Sequence, residues 1–491
     1  MKKLAALMLA MLMLTGTLAS CGGGADTPAV GDDTADTTAA EAVETTVPES
    51  TRAPLEVPEK NYDGYKFRVL EYTKGAPGKT NQYFNFGWES DASGDLINDA
   101  VKERNMIVEE RLGITITYGT KDNVTSEAKT LILAGSDDYD IYLGYINNSF
   151  PLAQEGLLVD LYEVPYINLE AEWWDQPAIR DMAIGGTMYV GLGDATIADE
   201  ELNYCIFFNK TVAREYNVKD QYQLVRDGKF TLDAMVEASK DVTRDLNGDG
   251  VLDQNDAFGI LTSPSLGSVY FIAAGGRMSE LKDGTPELVL NTPENVDKIE
   301  KLTNFFADKN LVLDAADTAR CPDSWNGFNT MLTEDRALYR VGSVYNIQSY
   351  RDMVNDFGIL PYPKYDEAQE EHSHLIATQV CSAITIPATA KDIERTGIIV
   401  ESLAYESKDT VTKAYYDINL YTKVARDDES GEMFDIIFAT KCYDLAKVFN
   451  WGGLETVINN ATKGQAFASL YAGAESAAQT ALETSMKFFA K

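Results

Sequence analysis

The chain has 491 residues, with 42 Lys+Arg against 77 Asp+Glu, a formal net charge of −35, and a composition 45% hydrophobic and 10% aromatic. That apolar content builds a sizeable core, in about three units of ~150 residues or in two large lobes, and excludes disorder throughout. The charge and the lack of any Lys/Arg-rich run exclude nucleic acid as a partner, and two histidines, His372 and His374, leave little room for His-based catalysis or a multi-His metal centre.

Lys2-Lys3 precede an apolar run from Leu4 to Leu14, then small residues up to Cys21. A basic start, an apolar stretch too short to span a bilayer and a small-residue cleavage point describe a secretory signal over residues 1–20. Leu18-Ala19-Ser20-Cys21 resembles a bacterial lipobox, which implies lipid on Cys21 and an anchor on the outer face of a membrane. No later stretch approaches about 18 uninterrupted apolar residues. Gly22 to Pro58 holds eight acids against one base, Arg52, and no aromatic residue. Such a segment buries nothing and repels itself, so residues 21–59 read as an extended, mobile tether.

Ordered sequence begins near Tyr62. Lys66–Tyr72 alternates and is β-rich, predicting a strand. Leu96, Ile97, Ala100, Val101, Ile107, Val108 and Leu112 fall at helical spacing within 95–113, with Gly113 as the stop. Ile114–Tyr118 predicts a second strand, 126–134 a helix, and Tyr139–Leu143 a third strand. This alternation resumes after Met188 and again after Asp356, the pattern of a mainly parallel sheet covered by helices on both faces. Ligands of open α/β sheets sit beyond the carboxyl ends of strands. Here those ends carry Glu71-Tyr72, Tyr145 to Asn148, and Asp194, with no Walker or GxGxxG sequence to cradle phosphate.

Several stretches together resemble the bacterial extracellular solute-binding proteins of family 1, the sugar-binding receptor subunits of ABC importers. They are AGSDDYDIY at 134–142, AQEGLLVDL at 153–161, EWWDQ at 172–176, GGTMYV at 185–190, CIFFNK at 205–210, DFGILPYPK at 356–364 and IERTGII at 393–399. The resemblance implies an α/β, two-lobed periplasmic-binding-protein-like fold, each lobe a mainly parallel sheet flanked by helices. Lobe I would take 60–165 and 376–406, and lobe II 166–375 and 407–491. A hinge of about three crossing segments would close the lobes over ligand.

Asp245-Leu-Asn247-Gly-Asp249-Gly250-Val251-Leu-Asp253-Gln-Asn-Asp256 matches the EF-hand spacing, with oxygen ligands at positions one, three, five and twelve and Gly at six. Val251 would offer its carbonyl and Asp253 a water-mediated contact. The position-twelve Asp is shorter than the usual Glu. The plain alternative is a solvated Asp/Asn turn; with Ca2+ bound, the loop is a structural staple.

Flat aromatic faces suit the apolar face of a pyranose, while Asp and Asn bind its rim hydroxyls. On that logic the candidate solute contacts are Tyr72, Trp88, Tyr145, Trp174, Asp194, Trp325, Tyr345, Asn346 and Trp451, each weighed against ordinary packing. Glu370-Glu-His372-Ser-His374 reads as a surface acidic loop ahead of a strand, and Asp199-Glu200-Glu201 as a solvated face. Cys205, Cys321, Cys381 and Cys442 lack framework spacing, so disulfides and free thiols are both open.

The expected protein is thus a monomeric, lipid-anchored extracellular receptor that hands a sugar to ABC permease subunits and performs no chemistry. The rivals are an exported lipoprotein glycan hydrolase, which two placed carboxyls would require, and a surface adhesion or scaffold protein, which would show tandem β-rich modules.

Overall fold

A computed structural model of the chain describes residues 52–73, 86–87, 96–350, 353–416 and 428–489. Residues 53–491 form one compact unit. The signal, Cys21 and nearly all of the tether lie outside the described residues, as does Trp88.

The first sheet collects β1 (Tyr65–Tyr72), β2 (Ile114–Lys121) and β3 (Ile141–Tyr145). A helix over Leu96–Leu112 links β1 to β2, and one over Val124–Leu133 links β2 to β3. The first helix buries Ile97, Ala100, Val101, Arg104, Asn105, Val108 and Leu112 along one face. It stops at Gly113, whose φ of +60 favours glycine and where a Cβ would collide with the Asn61 side chain. Every residue of β3 is buried, as expected of a strand inside a helix-covered sheet. The predicted early elements are present, with the third strand two residues later than its sequence suggests.

The second sheet is built from β4 (Tyr204–Asn209) and β5 (Phe258–Thr262). After the hairpin of β6 (Ser279–Lys282) and β7 (Thr285–Leu288) come β8 (Val312–Asp314), β9 (Ala337–Ser343) and β10 (Phe357–Leu360), which complete that sheet. Its order is β10-β4-β9-β5-β8. The β5 pairings with β8 and β9 are parallel, whereas β4 runs antiparallel to both β9 and β10. The expected mainly parallel sheet is therefore mixed in this lobe, because β4 is inserted between two strands that run opposite to it.

The chain then adds β11 (His374–Leu375) and β12 (Ser382–Thr385), and later β13 (Lys441–Cys442). β12 returns to the first sheet, antiparallel to β3, giving the order β12-β3-β1-β2. Three stretches run together at the outer edge of β12. Val159 donates to Ile386 O (2.9 Å), Gly191 to Ile384 O (2.8 Å) and Leu161 to Met188 O (2.7 Å). Arg104, fully buried, braces this junction by donating to the carbonyl of Ala195 (3.1 Å) and the hydroxyl of Ser407 (3.2 Å).

Candidate functional site at the junction of the lobes

Tyr72 and Tyr145 end the adjacent strands β1 and β3, and their rings stack 4.0 Å apart at 16°. Both are buried. Glu71, beside them, accepts the backbone N–H of Gly87 (2.9 Å). Beyond Tyr145, the Ile146 N–H donates to the Cys381 carbonyl (2.9 Å), which brings the segment before β12 against this aromatic end of the first sheet.

The same segment meets a short helical turn, Ala198–Glu201. The Ala377 N–H donates to Leu202 O (3.2 Å) and the Val344 N–H to Asn203 O (2.9 Å), so the turn touches both sheets. Lys441, opening β13, places its ammonium on Asp175 (2.6 Å), Asp199 (2.5 Å) and Glu200 (3.2 Å). The Tyr443 hydroxyl also donates to Asp175 (3.2 Å). Burial alone would raise Asp175, but Lys441 and the hydrogen bonds of Asp199 and Lys441 outweigh it and hold this carboxyl below its ordinary range. Burial and the charge of Glu200 push Asp199 well up. The same two causes bring Glu201 to about 8. Lys441 is raised: its desolvation is outweighed by the surrounding carboxylates.

Reading Asp199-Glu200-Glu201 as a solvated face is thus corrected. All three are buried, because the turn is wedged between two sheets and its cation arrives from a distant part of the chain.

Asp194 lies at the edge of this cluster, pushed up to about 7 by burial and by Glu200. Tyr345, just past β9, is half-buried and its phenol feels the charge of Glu201. Tyr72, Tyr145, Asp194 and Tyr345 therefore gather around the junction. Asn346 spends its side-chain oxygen on the Ser343 N–H (3.0 Å) and on Arg340 (3.1 Å), fixing the turn that carries Tyr345.

The tryptophans fall elsewhere. Trp174 is buried, and its indole N–H donates to Glu401 (3.0 Å), as does that of Trp173 (2.9 Å). Burial raises Glu401 to about 7 despite these donors. Trp451 is 1% exposed, stacked on Phe449 and bonded to the Ser485 hydroxyl (2.9 Å). Neither presents a face for stacking a solute, because each indole is closed in by packing. Trp325 is half-buried on a helix over Ser324–Thr333, edge-on to Phe328 and beneath the Arg340 guanidinium.

In the 245–256 loop, Asp245 accepts the N–H groups of Gly248 (2.6 Å) and Gly250 (2.8 Å), which hold it below its ordinary range. Asp256, fully buried, accepts from Leu246 (2.9 Å) and Asp253 (3.0 Å), and a backbone bridge between Arg244 and Ala257 closes the ends. The donor set suits a hard cation in kind and order. Among the described residues, no three His, Cys, Asp or Glu side chains converge closely enough to hold a metal ion.

Glu370 and Glu371 are exposed as expected, but His372 and His374 are buried. His374 Nε2 accepts the Tyr362 N–H (3.1 Å), so this ring is a neutral packing element, and burial lowers both histidines. The four cysteines of the globular body are free and buried. No helix among the described residues is long and apolar enough to cross a membrane.

No curated protein matches the chain in sequence. Solved structures do. The maltose/maltodextrin-binding domain MalE from Bdellovibrio bacteriovorus, bound to maltotriose, is 14% identical with a TM-score of 0.50, covering 87% of this chain and all of that one. A cyclo/maltodextrin-binding protein complexed with maltotetraose is 13% identical with a TM-score of 0.54, over 87% and 96% of the two chains. UspC of M. tuberculosis is 14% identical with a TM-score of 0.54, over 85% of this chain and all of that one. At these identities the likeness is one of fold, the two-lobed periplasmic-binding-protein architecture. The family profile for bacterial extracellular solute-binding proteins matches residues 89–396, more than half of the sequence, and the chain belongs to that family.

Proposed function

We propose that the protein captures a carbohydrate outside the cell between its two lobes and delivers it to the permease subunits of an ABC importer. The observation that carries this reading is the gathering of buried carboxyl groups and tyrosines at the junction, with the half-buried Tyr345 as a ring that packing leaves open. Tyr72 and Tyr145 close the carboxyl ends of two first-sheet strands, Tyr345 follows a second-sheet strand, and Asp194 and Glu200 lie between. The half-buried Tyr345 ring suits the apolar face of a sugar, and buried acceptors penalise a ligand that leaves them unpaired. The maltotriose and maltotetraose held by two proteins of like fold support the same class of solute.

Lipid on Cys21 would tether the body to the membrane through the acidic segment ending near residue 59. Asp245, Asn247, Asp249, Asp253, Asp256 and the Val251 carbonyl would close around Ca2+ as a staple beside β5, with no part in binding the sugar. The protein performs no chemistry on its ligand. A titration against malto-oligosaccharides, monosaccharides, peptides and polyols tests the reading. Saturable oligosaccharide binding without turnover is expected; hydrolysis of the sugar, or binding confined to peptides, would overturn it.

A further inference from the structure

The acid turn holds more carboxyl oxygen than Lys441 answers. Lys441 occupies Asp175, Asp199 and one oxygen of Glu200. The second oxygen of Glu200 (Oε2), Oε1 of Glu201 and Oδ1 of Asn203 are buried with no hydrogen-bond partner among the described residues. Asn203 is the independent witness. It is fully buried, its backbone N–H lies on the Glu200 carbonyl (3.4 Å) and its Nδ2 donates to Ile437 O (3.2 Å), which leaves the oxygen as the unspent end. Oδ1 of Asp199 is a fourth such acceptor in the turn, while of the hydroxyls nearby that of Tyr145 is buried and that of Thr196 is also without a partner among the described residues. The carboxylate and amide oxygens of the turn accept, so the group they lack is a donor.

Charge narrows the donor. Asp175, Asp199 and Glu200 share the ammonium of Lys441, Asp194 feels Lys408 and Lys441 from the edge of the site, and Glu201 has no cation set against it. Two of them, Asp194 and Glu201, are pushed up by burial and then by the charge of Glu200, to about 7 and about 8. A hydroxyl supplies a hydrogen bond and leaves that imbalance; an ammonium supplies both donors and charge. The half-buried Tyr345 and Tyr416, whose phenols feel Glu201 and Glu200 respectively, form the edge of the cluster.

Building on the receptor reading, we infer that Glu200, Glu201 and Asn203 accept a protonated amine of the solute, so that the preferred ligand is an amine-bearing sugar and not a neutral one.

Calorimetric titration of the protein with four probes decides this: the glucosamine trimer, its fully N-acetylated form, maltotriose and spermidine. The expected result is at least tenfold tighter binding of the glucosamine trimer than of its neutral N-acetylated form, about 1.4 kcal/mol. That preference should shrink as salt is raised and should drop by about tenfold in Glu201→Gln. Equal or tighter binding of the neutral trimers overturns the amine inference and leaves the carbohydrate reading standing. Binding of spermidine with no sugar bound overturns the carbohydrate reading and supports the amine. No binding of any of the four overturns the amine inference. Because the wild-type preference and its salt dependence decide alone, a Glu201→Gln variant that failed to fold would not shelter the idea.

Discussion

Two acid-rich turns, 194–201 and 245–256, are alike in composition and opposite in physics. In the 245–256 turn, mostly exposed but with Asp256 buried, each carboxylate rests on backbone N–H groups, and Asp245 is held below its ordinary range. In the buried turn, desolvation and repulsion push Asp194, Asp199 and Glu201 up, and one lysine carries the balance. Water and backbone dipoles decide the first; a side chain fixed by tertiary structure decides the second.

The largest effect should follow from Lys441→Met. Removing the ammonium strands Asp175 and Glu200 in the interior, which costs about 3–5 kcal/mol, read as a shift in the denaturant midpoint. A loss below about 1 kcal/mol would mean that protonation replaces the lysine freely, and the two turns would then differ less than the geometry says.

Next comes Glu201→Gln, which separates the turns by pH. Glu201 has a folded pKa of about 8 against an ordinary 4.5. The folded state therefore holds the proton more tightly, and this group's contribution is fully present below 4.5 and lost as pH rises through about 8. The Gln variant should match wild type near pH 5 and be more stable near pH 8.5, on the order of 3 kcal/mol. Parallel stability–pH curves for the two proteins would count against it.

Calcium comes third. Saturation at a hundredfold over Kd adds about 2.7 kcal/mol, so chelator should lower the melting temperature and Asp245→Ala should abolish the response. An unchanged melting temperature would leave 245–256 as a plain solvated turn.

Smallest is Arg226→Ala. Arg226 pairs with Glu429 (3.0 Å) and Glu432 (2.7 Å) on the surface, where water and salt screen the charges, so the denaturant midpoint should barely move. A loss comparable to that of Lys441→Met would erase the distinction between exposed and buried charge.

Much of the first sheet was legible because its signals are local. Alternation in Lys66–Tyr72, helical spacing up to Leu112 and the stop at Gly113 each depend on neighbours in sequence. The junction was legible in part: strand ends pointed to Tyr72 and Tyr145, and the structure stacks them. Asp199-Glu200-Glu201 was not, since an acidic run looks the same in water as against a lysine some 240 residues away. Trp174 misled for a related reason. Its polar neighbours suggest a loop, but the partner that closes it in is Glu401, far along the chain. The direction of β4 was equally invisible, being set by which strands it enters between.

The four buried thiols make the protein its own gauge of breathing. Cys205 lies in β4, Cys381 beside the acid turn, Cys442 next to Lys441 and Cys321 in a separate apolar cluster with Phe258 and Phe328. Burial raises all four, Cys321 to about 11 and Cys442 to about 12. Each is therefore unreactive while its surroundings stay shut. Outside a cell, where oxidants are plentiful, such thiols survive only as long as the fold holds. The rate at which an alkylating reagent reaches each sulfur would then time, element by element, how often the two sheets part.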